Sequence, residues 1–395
     1  MIGPYLLLLI PLALVAALMS DDFALTLIYL LVGAFSLGSW WSRRALQQIE
    51  ARRELDSHAF LGQTIKISLK VRNNGLIPAA WVALYESRPL ALGGIKPFQR
   101  VTGFGPRQES SFEYTLEARK RGYYPVGPLI LSSGDLFGLS ERLEKQIPPQ
   151  FITVYPKIVA LARVGIPSRS PQGTLRHHQP LFEDPTRVFG KRAYVAGDSL
   201  RRVDWKATAQ TGRMQVKLFE PSISLETLIF LNLNAEDYNF HGRIDSTELG
   251  IVIGASLASW VIERRQSAGL RINGRDPLAA DGRPQPLPPR KGKSHLMRML
   301  EVLARVETTS ESPLAPLIQR ERLLQPWGTT LLVITGQVQQ DLLNELHQAR
   351  RSGQNALLIL AGSVSHVREI QQRAAFFGVA SVSIAKESDL DIWRR

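Results

Sequence analysis

Between Lys191 and Lys217 the chain gathers side chains suited to recognition rather than to bond making. The run reads Lys191-Arg192-Ala193-Tyr194-Val195-Ala196-Gly197-Asp198-Ser199-Leu200-Arg201-Arg202-Val203-Asp204-Trp205-Lys206, and it closes on Gly212-Arg213-Met214-Gln215-Val216-Lys217. Asp198 suits an N-cap and Gly212 a C-cap, so the spacing predicts a helix between them. Leu200, Val203 and Ala207 recur at i, i+3 and i+7 as its apolar face. Arg201, Asp204 and Trp205 share the adjoining face, with Thr208 beyond. An exposed Arg–Asp pair at that spacing contributes only a few tenths of a kcal/mol, but a Trp among charges is less ordinary. From Asp184 to Glu220 the cations are Arg187, Lys191, Arg192, Arg201, Arg202, Lys206, Arg213 and Lys217, against Asp184, Asp198, Asp204 and Glu220. Two chemistries fit: an internal salt-bridge network holding the helix to a sheet, or a docking face for an acidic partner, where Arg and Trp are the usual hot spots. The candidate partner-binding residues are Arg201, Arg202, Asp204, Trp205, Lys206 and Arg213.

Catalytic chemistry is hard to place. The 395 residues include no cysteine, which excludes disulfides, thiolate nucleophiles, iron–sulfur clusters and thiolate zinc sites. His177 and His178 are adjacent, so on a strand they face opposite sides. No glycine loop with Lys-Ser or Lys-Thr would cradle a phosphate, and no nucleophile motif organises a Ser-His-Asp set. An enzyme is not expected, nor is a cofactor or a small-molecule substrate.

The elements that present this segment start in a membrane. Ile2 to Met19 and Phe23 to Trp41 hold no charged side chain, and only Ser20-Asp21-Asp22 separates them. Each run reaches roughly 27 Å as a helix, enough for a hydrocarbon core. Trp40 and Trp41 suit the interfacial belt, and Arg43, Arg44, Arg52 and Arg53 mark the cytoplasmic side. The expectation is a transmembrane hairpin over 1–42 in a bacterial inner membrane, multi-pass, with the soluble parts in the cytoplasm. A cleaved signal peptide fits less well, because no cation precedes the first apolar run. The net charge of +13 admits two readings. One is nucleic-acid binding by a membrane-tethered protein; the favoured one is a surface held near anionic lipid.

From 43 to 156 the pattern has period two. Ile65, Ile67, Leu69 and Val71 alternate with Thr64, Lys66, Ser68 and Lys70, and Asn73-Asn74-Gly75 supplies a turn. Further strands are expected at 81–85, 112–116, 129–131 and 151–155, together a small immunoglobulin-like β-sandwich. The signature segment occupies 157–221. From 222 to 395 strands alternate with helices: strands at 225–233, 270–272, 329–334, 356–360 and 379–384, helices at 245–266 (Asp245 or Ser246 capping, Gly269 stopping), 295–306, 338–351 and 365–376. That alternation predicts a doubly wound α/β domain. Residues 276–293 hold Pro277, Pro284, Pro286, Pro288 and Pro289 and are expected as an exposed loop, a docking motif being the lesser reading.

The central run resembles the signature of the domain-of-unknown-function 58 family, whose members share Arg-x-Tyr-x-x-Gly-Asp, Arg-x-x-Asp-Trp-Lys and Gly-Arg. Arg121-Gly122-Tyr123-Tyr124 and Phe137-Gly138-Leu139 are similar to two further family elements, and the likeness extends along the chain. Ser199 and Gln210 stand where many relatives carry an acidic residue and an arginine. The resemblance implies an N-terminal membrane hairpin, a β-rich domain and a C-terminal domain similar to von Willebrand factor A. It also implies a partner, a MoxR-type AAA+ ATPase, in systems that assemble or mature other proteins. A von Willebrand-type domain holds a divalent cation through Asp-x-Ser-x-Ser, completed by a Thr and an Asp from later loops. The corresponding positions here are Asn232, Asn234, Glu236 and Thr335. Two neutral amides replace the usual first residues and no Asp follows Thr335-Gly336, so most of the negative charge is lost and the expectation is a degenerate, metal-free site.

Overall fold

The computed structural model describes residues 11, 22–135, 142–162, 164, 183–195, 198–221, 226–310 and 312–393. Its contacts divide the chain into two units, Met1–Lys157 with Leu300–Val306, and Ile158–Met299 with Glu307–Arg395. The expected first membrane run, the His177-His178 pair and Phe137-Gly138-Leu139 lie outside the described residues, Pro11 excepted.

In the first unit α1 (Asp22–Gln48) carries the second apolar run. Its Leu25–Gln48 stretch is long and apolar enough to cross a membrane, and Phe23, Tyr29, Leu30 and Leu37 stand exposed along it. The helix passes Trp41 without a break. Ala45 and Leu46 at its foot are buried in the β core, and Trp41 Nε1 donates to the Pro78 carbonyl at 2.9 Å. The helical boundary therefore lies beyond residue 42, because these side chains have apolar partners in the adjoining domain.

Among the described residues ten strands follow: β1 (Ile49–Leu55), β2 (His58–Phe60), β3 (Thr64–Asn73), β4 (Ala79–Glu86), β5 (Phe98–Phe104), β6 (Glu109–Glu117), β7 (Gly122–Val126), β8 (Leu129–Ser133), β9 (Leu143–Ile147) and β10 (Gln150–Tyr155). They form sheets in the orders β1-β3-β6, β2-β10-β7 and β5-β4-β8-β9. The alternation read in β3 is realised: Ile65, Ile67, Leu69 and Val71 are buried in one core while Lys66 and Lys70 face out. The Asn73 carboxamide accepts from Gly75 N at 3.0 Å, which closes the expected turn. Within that core the Arg53 guanidinium meets Glu86 at 2.5 Å with both side chains buried, and the Tyr114 hydroxyl donates to Glu86 Oε2 at 2.5 Å. Burial first, then the hydrogen bond to Glu86, pushes the Tyr114 hydroxyl well above its ordinary pKa. Arg121 of the Arg-Gly-x-Tyr element donates to the carbonyls of Leu303, Ala304 and Val306 at 2.8–3.1 Å, and Tyr124 OH donates back to Arg121 O.

The second unit holds the hairpin β11 (Glu183–Ala193) and β12 (Gln215–Pro221), with α2 (Trp205–Thr211) between them. Its main sheet is built from β13 (Glu226–Leu231), β14 (Ser267–Ile272), β15 (Leu287–Arg290), β16 (Thr330–Thr335), β17 (Asn355–Ala361) and β18 (Ala380–Ile384). The order is β15-β14-β13-β16-β17-β18, parallel except for β15. The helices are α3 (Arg243–Glu263), α4 (Lys293–Arg305), α5 (Leu314–Arg322), α6 (Gln340–Arg351) and α7 (Val367–Phe376), of which α4 belongs to the first unit from Leu300 onward. Leu228, Phe230, Leu331, Val333 and Leu358 pack with Ile318, Leu343 and Leu346 on one face, while Leu231 and Ile334 lie beside Gly250 of α3 on the other. Both faces of the sheet are thus covered, which is why its strands read as continuous apolar runs.

Three local expectations are corrected. Gly269 does not stop the long helix but lies inside β14; α3 ends at Glu263, where Arg265 adopts φ 60°. The Pro-rich stretch is not all loop, since Leu287–Arg290 forms an antiparallel edge strand on β14; prolines are tolerated there because an edge leaves N–H positions unpaired. Helix α5 was not anticipated, its Pro316 obscuring a turn in which Leu314 and Ile318 are buried.

Candidate functional site

The signature residues are presented by a hairpin rather than by one long helix. In register Lys191 faces Lys217 and Arg192 faces Val216. Leu200–Arg202 is a 3-10 turn, and Val203 bridges to Val216. The α-helix begins only at Trp205, capped by Asp204, whose side chain accepts from Ala207 N. Gly212 closes it at φ 64°, a left-handed position open to glycine without strain. Asp198 therefore caps no helix. Its carboxylate takes a two-pronged bond from the Arg192 guanidinium, both at 2.7 Å, and accepts Val195 N at 2.9 Å. The helix starts late because Val203 stays extended to meet the hairpin.

This rearrangement sorts the candidate residues. Val203 and Ala207 are buried as expected, but Leu200 is exposed. Asp204 is occupied internally, with Lys191 Nζ at 2.9 Å. That bond first, then the backbone bond from Ala207, holds its carboxyl below the usual range; the Arg192 bond does the same for Asp198. Trp205 is 68% exposed, and Arg202, Lys206 and Arg213 are exposed beside it in sequence. The side chain of Arg201 lies outside what is described. The aspartates thus tie the fold internally, while the Trp205 indole and the Arg202, Lys206 and Arg213 side chains are exposed.

A second constellation sits at the carboxyl ends of β13 and β16. Asn232 Nδ2 donates to Asp237 Oδ2 and to Thr335 Oγ1, each at 2.9 Å. Its Oδ1 accepts from Asn234 N at 2.9 Å and Asn273 Nδ2 at 2.8 Å. Those two donors fix which way the amide points, since the flipped orientation would set donor against donor. Asp237 further accepts from Asn234 Nδ2 at 3.1 Å and Gln339 Nε2 at 3.2 Å. Glu236, the acid singled out in sequence, is exposed; the buried carboxylate is Asp237. Tyr238 OH donates to Asn232 O at 2.6 Å, and burial, then Asp237, raises that hydroxyl's pKa. A Cβ on Gly336 would lie 2.5 Å from the Asp237 carbonyl, so only glycine permits this close approach.

A divalent cation does not fit this donor set. A hard cation needs several oxygens, some ionised, whereas here an amide N–H lies between the carboxylate and the threonine hydroxyl. Asn234 Oδ1 is buried without a partner among the described residues, a single neutral oxygen. Sequence reasoning missed Asp237 because it followed alternate positions, while the chain turns in a 3-10 segment at Ala235–Asp237.

Residues 190–370 match the model of a family described as "Protein of unknown function DUF58". Over 327 residues the chain is 23% identical to "Uncharacterized protein YeaD" of Bacillus subtilis (strain 168), covering 80% of this chain and 76% of that one. Among solved structures, a von Willebrand factor type A protein from Catenulispora acidiphila matches at 12% identity with a TM-score of 0.32, over 45% of this chain and 42% of that one. The CARDB domain of a Pyrococcus furiosus protein matches at 13% identity and a TM-score of 0.20, over 27% and 91%.

Proposed function

With residues 190–370 matching the DUF58 family model, we propose that the chain is a non-enzymatic, membrane-anchored interaction and assembly factor. Its anchor is α1 with the apolar run before it, its β unit is an immunoglobulin-like spacer, and its soluble parts face the cytoplasm. The docking face is the signature hairpin, formed by Trp205 with Arg201, Arg202, Lys206 and Arg213. The carrying observation is Trp205: a large apolar side chain left 68% exposed on a short, firmly capped helix. Exposing such a ring has no folding benefit, and Trp and Arg are the residues that anchor interfaces. Because the neighbouring aspartates are occupied internally, the outward charge is positive and suits an acidic partner surface. The partner is a MoxR-type AAA+ ATPase, as the family resemblance implies. Contact at the strand-end site proceeds through shape and hydrogen bonds, without a bridging cation.

The test is affinity purification of the tagged full chain from gently solubilised membranes, with and without ATP, followed by mass spectrometry. The expected result is nucleotide-dependent recovery of an AAA+ ATPase, lost in Trp205→Ala and Arg213→Ala. Recovery of nucleic acid alone, or capture undiminished by these substitutions, overturns the reading.

A further inference from the structure

A cavity of about 600 Å³ lies within the α/β unit between the carboxyl end of β14, the Pro-rich segment and the start of α5. Three guanidinium groups reach its wall: Arg271, Arg283 and Arg320. Arg271 is nine-tenths buried. Its Nε donates to Glu321 Oε2 at 2.5 Å and its Nη1 to the carbonyls of Leu270 and Leu287. Its Nη2 makes no hydrogen bond among the described residues, although the side chain lines the cavity. Arg320 approaches the other Glu321 oxygen at 3.2 Å. Arg283 is exposed, and only its backbone N–H is engaged, by Asp281 Oδ1 at 3.1 Å. Three cations against Asp281 and Glu321 leave a surplus of one positive charge (3 − 2 = +1), and the Arg283 guanidinium has no ion-pair partner among the described residues. The remaining wall is mixed: Ile272, Pro284, Pro286, Pro313, Pro316 and Leu317 give it an apolar part, and Asn273, Gln285 and Ser312 a polar one.

We propose that this cavity binds a small phosphorylated molecule of nucleotide size. Its volume lies within the range of small-molecule sites. Guanidinium forks match phosphoryl oxygens in two-pronged geometry, and a phosphate offers enough acceptors for Arg271 Nη2, Arg283 and Arg320 together. The proline wall takes the ring or chain, losing little entropy because it is already stiff. Asn273, also in the wall, donates to Asn232 Oδ1 and to Ser312 O. Occupancy is therefore one side chain removed from the amide cluster at the strand ends. None of the residues lining the cavity belongs to the proposed docking hairpin.

The experiment is calorimetric titration of the purified full chain in detergent, at physiological ionic strength, with ADP and with adenosine as probes. Saturable ADP binding is expected, with adenosine roughly tenfold or more weaker, since a lost charged contact amounts to at least one decade. The double variant Arg283→Ala/Arg320→Ala should lose roughly tenfold or more in ADP affinity while keeping the wild-type melting temperature. Trp205→Ala should bind ADP as the wild type does. Absence of saturable binding, equal affinity for adenosine, unchanged affinity in the double variant, or a matching loss in Trp205→Ala would each overturn the proposal.

Discussion

Asn232 and Asp237 are joined by an amide-to-carboxylate hydrogen bond of 2.9 Å, and the same amide nitrogen donates to Thr335 at 2.9 Å. The N–H groups thus sit between the groups that a cation would otherwise bridge. The carboxylate accepts hydrogen bonds from the side-chain amides of Asn232, Asn234 and Gln339.

Replacing Asn232 by aspartate tests this arrangement. Asn232→Asp removes two donors and sets two carboxylates about 3 Å apart, where both cannot readily stay ionised. The variant should melt below wild type in a chelator, by an amount corresponding to about 3–5 kcal/mol, and recover on adding Mg²⁺ or Mn²⁺. The wild type should show no such response. Thermal melts with and without the cation decide it, and a wild-type shift on adding Mg²⁺ would refute the account.

The Arg53–Glu86–Tyr114 cluster in the β unit should be graded in its response. Glu86→Ala leaves a buried guanidinium uncompensated, at a cost of about 3–5 kcal/mol. Tyr114→Phe removes one charge-assisted hydrogen bond, about 1.5–3 kcal/mol. Urea melts monitored by tryptophan fluorescence should rank the two in that order; equal losses would contradict it.

In the signature hairpin, capping and docking should separate. Asp204→Ala should loosen α2, because the N-cap and the Lys191 bond vanish together, whereas Trp205→Ala should leave stability within about 0.5 kcal/mol of wild type. Asp204 has a depressed folded pKa. Its contribution is therefore complete above the unfolded carboxylate value near 3.9 and is lost as pH falls through the folded value. Hydrogen exchange of the α2 amides at neutral and strongly acid pH measures both effects.

His295 gives the opposite end of the pH range. The ring is buried, with Nε2 at 2.8 Å from the Ala268 carbonyl, and burial is the first cause that holds its pKa below the usual 6.5. The folded state prefers the neutral ring. Its stabilising contribution is complete above about 6.5 and is lost as pH falls through the folded value. Melting temperatures of wild type and His295→Gln should converge as the pH is lowered from 7.5; a parallel decline would show that another group is responsible.

The sequence by itself determined what depends on neighbours along the chain. Period-two burial in β3, the apolar run of α1, the βαβ alternation and the Gly212 stop were all legible, because each follows from local dihedral preference and one-dimensional patterning. Tertiary structure decided the rest. Leu200 has the spacing of a core residue but is exposed, since Val203 is drawn into a bridge with Val216 and the helix begins after it. Leu287–Arg290 became an edge strand because β14 offered an open ladder. Asp237 replaced Glu236 at the strand ends because a short 3-10 turn shifted which acid pointed inward, where amides from Asn232 in one loop and Gln339 in another converge. Such convergence brings together groups about a hundred residues apart, and no local pattern encodes the geometry of a hydrogen bond closed over that distance.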